Sequence, residues 1–251
     1  MSHRVMIARE GGVLSGTLNR PDKKNAIDSA MIDGLYALLE RAELDAEARV
    51  VAVRGAGKDF CAGMDLQELL ASADRTVEQN RDAALHFGGV FLRMRALPKP
   101  VVAVVQGRAL AGGCGLATAC DLVLAAESAQ FGYPEVQRGF VPALVMNMLR
   151  RAVGEKVGFD LAMGRLLAAR EAEDKGLVSR VFPDDAFDDC VAEVLRALCA
   201  ISAGSLALTK QQFYRLDGTS FEDGVRLSAN VNAVSRTTPD FRSAIAAFLN
   251  Q

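Results

Sequence analysis

Two runs of valine and alanine without a polar interruption, Val50-Val51-Ala52-Val53 and Val101-Val102-Ala103-Val104-Val105, read as strands buried on both faces. Shorter apolar stretches at Val5 to Arg9 and Val13 to Asn19 flank Gly11-Gly12 and predict a hairpin. The polar turn RPDKKNAID ends at Asp28, a good N-cap for a helix over 29–45. In that helix Met31, Leu35, Leu38, Leu39 and Ala42 share one face, opposite Asp33, Glu40, Arg41 and Glu43. A polar helical stretch over 66–97 stops at Leu97-Pro98, and Pro98 and Pro100 lead into the second valine strand. GLATACDL predicts a short small-residue helix entering a strand at Leu122 to Ala125, and Phe140-Val141-Pro142 opens a further helix. Beyond Phe182-Pro183 the pattern is helical throughout, over 185–201, 204–216, 219–236 and 240–250. Strand, turn, helix and buried strand in succession define a layered α/β class, here over 1–184, followed by a helical region over 185–251.

Each valine strand runs into a glycine loop, the first into RGAGKDFCAGMD and the second into QGRALAGGCG. Two such loops at strand ends can aim two backbone N–H groups at one oxygen, which stabilises a developing oxyanion. Gly112 and Gly113 precede a helix whose positive end adds to that field. A dinucleotide-binding reading of Gly113-x-Gly115-x-x-Thr118 fails on spacing, because Gly113 lies eight residues past Val105 and the third glycine is absent.

Composition narrows the chemistry further. With 251 residues, 50% hydrophobic and 24% charged, the chain can bury a sizeable core. A formal charge of −2 gives no global field for nucleic acid or anionic lipid, so any phosphate recognition is local. No apolar run approaches a membrane span, and MSHRVMIAREGG has no apolar signal core, which points to a cytoplasmic enzyme or an organellar one without its transit segment. Five cysteines without a CxxC pair, and only two histidines, suggest neither a disulfide framework nor a zinc site. The cysteines are expected to be buried small residues, although Cys61 and Cys114 lie in the glycine loops and could be nucleophiles if the fold supplied a base.

LNRPDKKNAID, KDFCAGMDL, KPVVAVVQGRALAGGCGLATACDLVLAAESAQFGYPEVQRGFVP and TTPDFRSAIAAFLNQ together resemble the crotonase superfamily, the enoyl-CoA hydratase/isomerase family, over nearly the whole chain. The resemblance implies a spiral of ββα units with a helical C-terminal trimerisation region, a homotrimer or dimer of trimers, and an acyl-CoA substrate. It implies no metal or redox cofactor, coenzyme A being part of the substrate. By position, the oxyanion amides would be those of Met64 and Gly112, with Glu135 as acid/base. Lys23, Lys24, Ala26, Ala62, Asp65, Leu66, Gly113 and Gly115 would contact the CoA thioester, the two lysines lying towards the phosphates.

Two departures from the family pattern bear on the reaction. Hydratases of the family commonly carry two glutamates, but the first position is Gly115 here and only the second is present, as Glu135. One carboxylate suffices to take a proton from one carbon and return it to another, so double-bond isomerisation is favoured. Hydration with one glutamate and a non-catalytic acyl-CoA binder are the alternatives. The second departure is Ala143-Leu144-Val145-Met146, where relatives often have a glycine-rich turn; bulkier residues there reshape the acyl pocket. Phe131, Tyr133, Phe140 and Val141 surround Glu135 in sequence and are expected to make its apolar pocket. Asp65 and Asp121 are expected to be structural, His86 to sit on the surface or the pocket rim, and Arg150-Arg151 to answer the negative end of a helix.

Overall fold

The computed structural model describes residues 3–250. Its first two strands, β1 (Val5–Glu10) and β2 (Val13–Leu18), form the expected hairpin, with Glu10 opposite Val13 across a two-residue turn. Helix α1 (Ser29–Leu44) follows, capped by the Asp28 carboxylate, which accepts from the Met31 N–H at 2.8 Å. The buried strands are β3 (Val50–Gly55) and β4 (Val101–Val105). The polar stretch between them is two helices rather than one, α2 (Leu66–Ala71) and α3 (Val77–Ala96). Thr76 and Gln79 make a reciprocal capping box that starts a new helix there.

After β4 the chain makes β5 (Arg108–Leu110), α4 (Gly112–Ala119), β6 (Leu122–Ala126) and β7 (Gln130–Gly132). Helix α4 starts at Gly112, three residues before the predicted start. Next come α5 (Ala143–Val153), α6 (Glu155–Ala162), β8 (Leu166–Ala168), α7 (Ala169–Asp174) and β9 (Arg180–Phe182), of which only α5 was anticipated. Helices α8 (Phe187–Ala200), α9 (Ala203–Arg215), α10 (Phe221–Ser235) and α11 (Pro239–Leu249) complete the chain close to the predicted spans. Among the described residues no single helix is long and apolar enough to cross a membrane.

The strands form a six-stranded sheet in the order β1-β2-β3-β4-β6-β9, parallel except at β1-β2, and a three-stranded sheet β5-β7-β8. Strand period explains why β3 and β4 carry no polar residue in their buried stretches. Val51, Val53, Val101, Ala103 and Val105 face the core beneath α1 and α3, whereas Val50, Ala52, Val102 and Val104 face Phe187, Val191 and Leu195 of α8. Those three residues recur every fourth position, so α8 lays one apolar stripe on the sheet. The helix therefore packs directly on the α/β body. Helices α9 to α11 form the helical region proper. Its anchor is the buried Lys210 ammonium, which donates to the carbonyls of Met94 at 2.7 Å and Lys99 at 2.9 Å and pairs with Asp121 at 2.7 Å. Asp121 is thus structural, as expected.

Candidate active site

The site lies where the chain leaves β3 and β4, beyond the carboxyl ends of the sheet. Past β3, the segment 61–65 is stitched on one side to the 20–27 turn and on the other to β5. The Ala62 N–H donates to the Lys24 carbonyl, Ile27 N–H to Gly63 and Asp65 N–H to Ile27, while Cys61 and Arg108 to Leu110 exchange bonds of 2.9 and 3.0 Å. Asn25, fully buried and at φ +55°, ties the turn down through side-chain bonds to Arg20, Ala56 and Asp59. Arg20 closes the assembly. Its guanidinium pairs with Asp28 at 3.1 Å and Asp65 at 2.9 Å and donates to the Ala26 carbonyl at 2.8 Å. Asp65 in turn caps α2, accepting from the Gln67 N–H at 2.8 Å. Burial alone would raise the Asp65 pKa, but the Gln67 and Arg20 hydrogen bonds outweigh it and hold the carboxyl below its usual range.

Met64 and Gly112 come together at the junction of the two loops. Gly63 has φ +99°, and a methyl group on it would lie 2.8 Å from the Ala111 Cβ and 3.4 Å from the Gly112 nitrogen, so only glycine lets the loops approach. The bonds on either side of Met64 both go to Ile27, which turns the Met64 N–H to the opposite side; Gly112 opens α4, where the first N–H groups have no intrahelical acceptor. Neither amide has a hydrogen-bond acceptor among the described residues. Ala111, immediately before Gly112, adopts φ 52° and ψ −129°, a conformation that costs a non-glycine residue on the order of 1–3 kcal/mol. Ala111→Gly is therefore expected to raise the unfolding midpoint by roughly 2–4 °C in a thermal melt. A lower midpoint would show that Ala111 is not strained.

Lys23, Lys24, Ala26, Ala62, Met64, Asp65, Leu66 and Glu135 all line one cavity of about 410 Å³. Gly113 and Gly115 are not among the residues that line it. Both point into packing, since a methyl on Gly113 would meet the Cys61 carbonyl oxygen at 2.4 Å and one on Gly115 the Val145 Cγ1 at 2.2 Å. Gly112 itself adjoins the wall through Ala111. Sequence reasoning missed two cations of the wall, Arg108 and Arg138. Arg108 is neutralised by a two-bond contact with Asp59, at 2.7 and 3.0 Å, which holds the Asp59 carboxyl below its usual range. A charged residue inside each small-residue loop, Asp59 in KDFCAG and Arg108 in QGRALAGG, was the available signal.

Glu135 sits in the 3-10 helix Pro134–Arg138 and is 3% exposed. Tyr133, two residues earlier, is fully buried and donates to Thr118 of α4 at 2.8 Å, the Thr118 hydroxyl being committed to the Cys114 carbonyl. That contact fixes the turn against α4. The Glu135 Oε2 is buried without a hydrogen-bond partner, and burial raises the carboxyl above its ordinary range, against smaller lowerings by the residue's own backbone N–H and by Arg138. Of the residues expected around it, Phe131 and Tyr133 are buried and Phe140 lines the cavity, but Val141 is 61% exposed and lies outside. Burial pushes the Cys61 and Cys114 thiols up to about 12, and the Cys61 thiol donates to the Asn25 carbonyl, so neither is an activated nucleophile. Cys120 is buried too, whereas Cys190 and Cys199 are only half-buried. His86 stacks on Tyr36 and contacts Asp33 at the surface; Arg150 pairs with Glu155, and Arg151 with Asp217.

Residues 8–251 match the sequence model of the enoyl-CoA hydratase/isomerase family. The chain belongs to that family. Among its relatives, a Thermus thermophilus protein provisionally named an enoyl-CoA hydratase is 41% identical, over 96% of both chains. The 2,3-dehydroadipyl-CoA hydratase of Escherichia coli is 32% identical over 98% of this chain and 96% of the relative. The 1,2-epoxyphenylacetyl-CoA isomerase of the same organism is 30% identical over 96% and 93%. The crystal structure of an enoyl-CoA hydratase from Mycobacterium smegmatis superposes with a TM-score of 0.94 at 31% identity, covering 98% of this chain and 96% of that one. The crotonase fold and an enzymatic role in this family follow, and both hydratase and isomerase names occur among the relatives.

Proposed function

We propose that the protein isomerises the double bond of an enoyl-CoA thioester, with Glu135 as its one acid/base. The observation that carries this reading is the buried Glu135 Oε2, unpartnered on the wall of the cavity that Met64 and Ala111 also line. In this reading the thioester oxygen accepts from the Met64 and Gly112 amides, and charge develops on it as a proton leaves C2 for Glu135. The electron pair of the broken C2–H bond forms the new C2–C3 double bond as the old C3–C4 pair takes the proton back from Glu135 at C4. Each rigid amide donor contributes on the order of 3 kcal/mol to the transition state. A carboxyl raised towards neutrality can both accept and return the proton.

Lys23 and Lys24 line the same cavity, form no ion pair among the described residues and suit the CoA phosphates. Replacing both with alanine is expected to raise KM for CoA thioesters roughly tenfold, with kcat within about twofold, and to flatten the salt dependence of kcat/KM. An unchanged KM would remove them from the site. The reaction calls for no cofactor beyond the CoA of the substrate. Exposed Phe221, Val234, Phe248 and Leu249 on α10 and α11 support burial of this region in a homotrimer or dimer of trimers.

Hydration of a 2-enoyl-CoA is the second reading, favoured by the hydratase names of most relatives. Rates on a 3-enoyl-CoA and on crotonyl-CoA, measured side by side, separate the two. The proposal expects the first to exceed the second; rapid hydration without isomerisation overturns it. Tight acyl-CoA binding without turnover of any enoyl-, hydroxyacyl- or malonyl-type thioester would instead identify a binder.

A further inference from the structure

We propose that Val145 fixes which reaction this site performs, because its side chain fills the volume that a carboxylate on residue 115 would need. The inference rests on the reading of Glu135 as the sole acid/base. Gly112 and Gly115 lie three residues apart on α4 and so share a helix face. That face looks onto an apolar wall. A methyl on Gly112 would stand 3.5 Å from Phe87 Cε1 and 3.6 Å from Met64 Cγ. A methyl on Gly115 would stand 3.9 Å from Phe91 Cζ and only 2.2 Å from Val145 Cγ1, with Val145 Cβ at 3.3 Å.

The last two distances mean that a side chain at 115 is excluded, not merely missing. Val145 is 3% exposed, and a β-branched residue in a helix has one strongly preferred rotamer, so it cannot swing aside. Met64 belongs both to this wall and to the cavity lining, so the wall adjoins the cavity at Met64, beside Gly112. The small residue at 115 and the bulky start of α5 are therefore two halves of one packing unit. Its chemical consequence is that the helix face beside the amide offers neither a second proton-transfer group nor room for a water held by one. Glu135 then exchanges its proton only with the acyl carbons.

Two experiments test this on the full chain. In thermal melts, Gly115→Ala is expected to lower the midpoint by roughly 3–10 °C, and by less than half as much in a Val145→Ala background. Equal losses in both backgrounds overturn the packing unit, whatever reaction the enzyme performs. With crotonyl-CoA, Gly115→Glu combined with Val145→Ala is expected to hydrate at least about tenfold faster than the wild type and than either single variant. A folded double variant that hydrates no faster, or a Gly115→Glu single variant that melts like the wild type and hydrates like the double, overturns the role of Val145. If the glutamate variants do not fold, the alanine comparison decides alone. Failure of the parent reading shows separately, as a wild type that does not isomerise a 3-enoyl-CoA.

Discussion

Glu135→Gln is expected to lower kcat/KM for 3-enoyl-CoA isomerisation by about 10²- to 10⁴-fold while the protein stays at least as stable as the wild type. The two halves of that expectation have one cause. The wild-type carboxyl is buried, its Oε2 has no partner, and burial raises its pKa. An acid whose folded pKa exceeds its unfolded value binds more protons folded than unfolded. Stability is then lost as pH rises from the unfolded pKa through the folded one, and the loss persists at neutral pH. Glutamine carries no charge to desolvate, so the variant escapes that loss while losing the proton carrier. The wild-type rate is expected to rise with pH along an acid limb above the ordinary glutamate range, because the base must be ionised. In the variant that limb vanishes. Circular dichroism melts and pH–rate profiles on the same preparations check both; an unchanged rate, or an acid limb retained in the variant, would assign the proton transfer to another group.

Arg20→Ala is expected to be the most destabilising change around the site, by about 3–5 kcal/mol in urea unfolding, because it leaves the buried Asp28 and Asp65 carboxylates without their shared cation. Losing the bond to the Ala26 carbonyl also frees the two segments that flank Met64, so a rise in KM accompanies the loss of stability. The pH dependence has a definite sign. The Asp65 carboxyl is held below its usual range in the folded wild type, so the stability it contributes is present above the unfolded pKa and is lost as pH falls through the folded one. The gap between wild type and variant should therefore narrow as the solution is made acidic. A cost under about 1 kcal/mol would mean the guanidinium only offsets its own desolvation.

The elements that were legible in the sequence are those whose pattern is local. Val50 to Val53 and Val101 to Val105 could be read because strands buried on both faces need no polar position, and α1 because its apolar stripe repeats along one helix. Strands β5, β7, β8 and β9 have three residues each, too few for a period-two pattern to stand out. Their existence depends on long-range pairing such as Arg108 opposite Gln130 and Gly132 opposite Leu166. The α8 stripe was visible as a helix, but nothing local says that it covers the second face of the sheet. The split at Thr76 was readable in principle, since Thr76-x-x-Gln79 is a capping signature.

The site divides along the same line. Residues carried by motifs, Glu135, Met64 and the lysine turn, fall on one cavity wall. Gly113 and Gly115 carry the same motif but serve close packing, because a glycine in a motif does not reveal whether ligand or protein occupies the space beside it. The contact of Val145 with Gly115 joins residues thirty positions apart and was invisible as a pair, although each was noticed separately as a departure. The strain at Ala111 is likewise a property of folded backbone that no residue identity announces.

Formation of the enolate is the step on which the account depends, and it can be watched without any double bond in the substrate. With butyryl-CoA in D₂O, the account predicts enzyme-catalysed exchange of the C2 protons, followed by mass spectrometry or NMR, slowed at least about 100-fold by Glu135→Gln. Exchange at the same rate in both proteins, or none in the wild type, would contradict it.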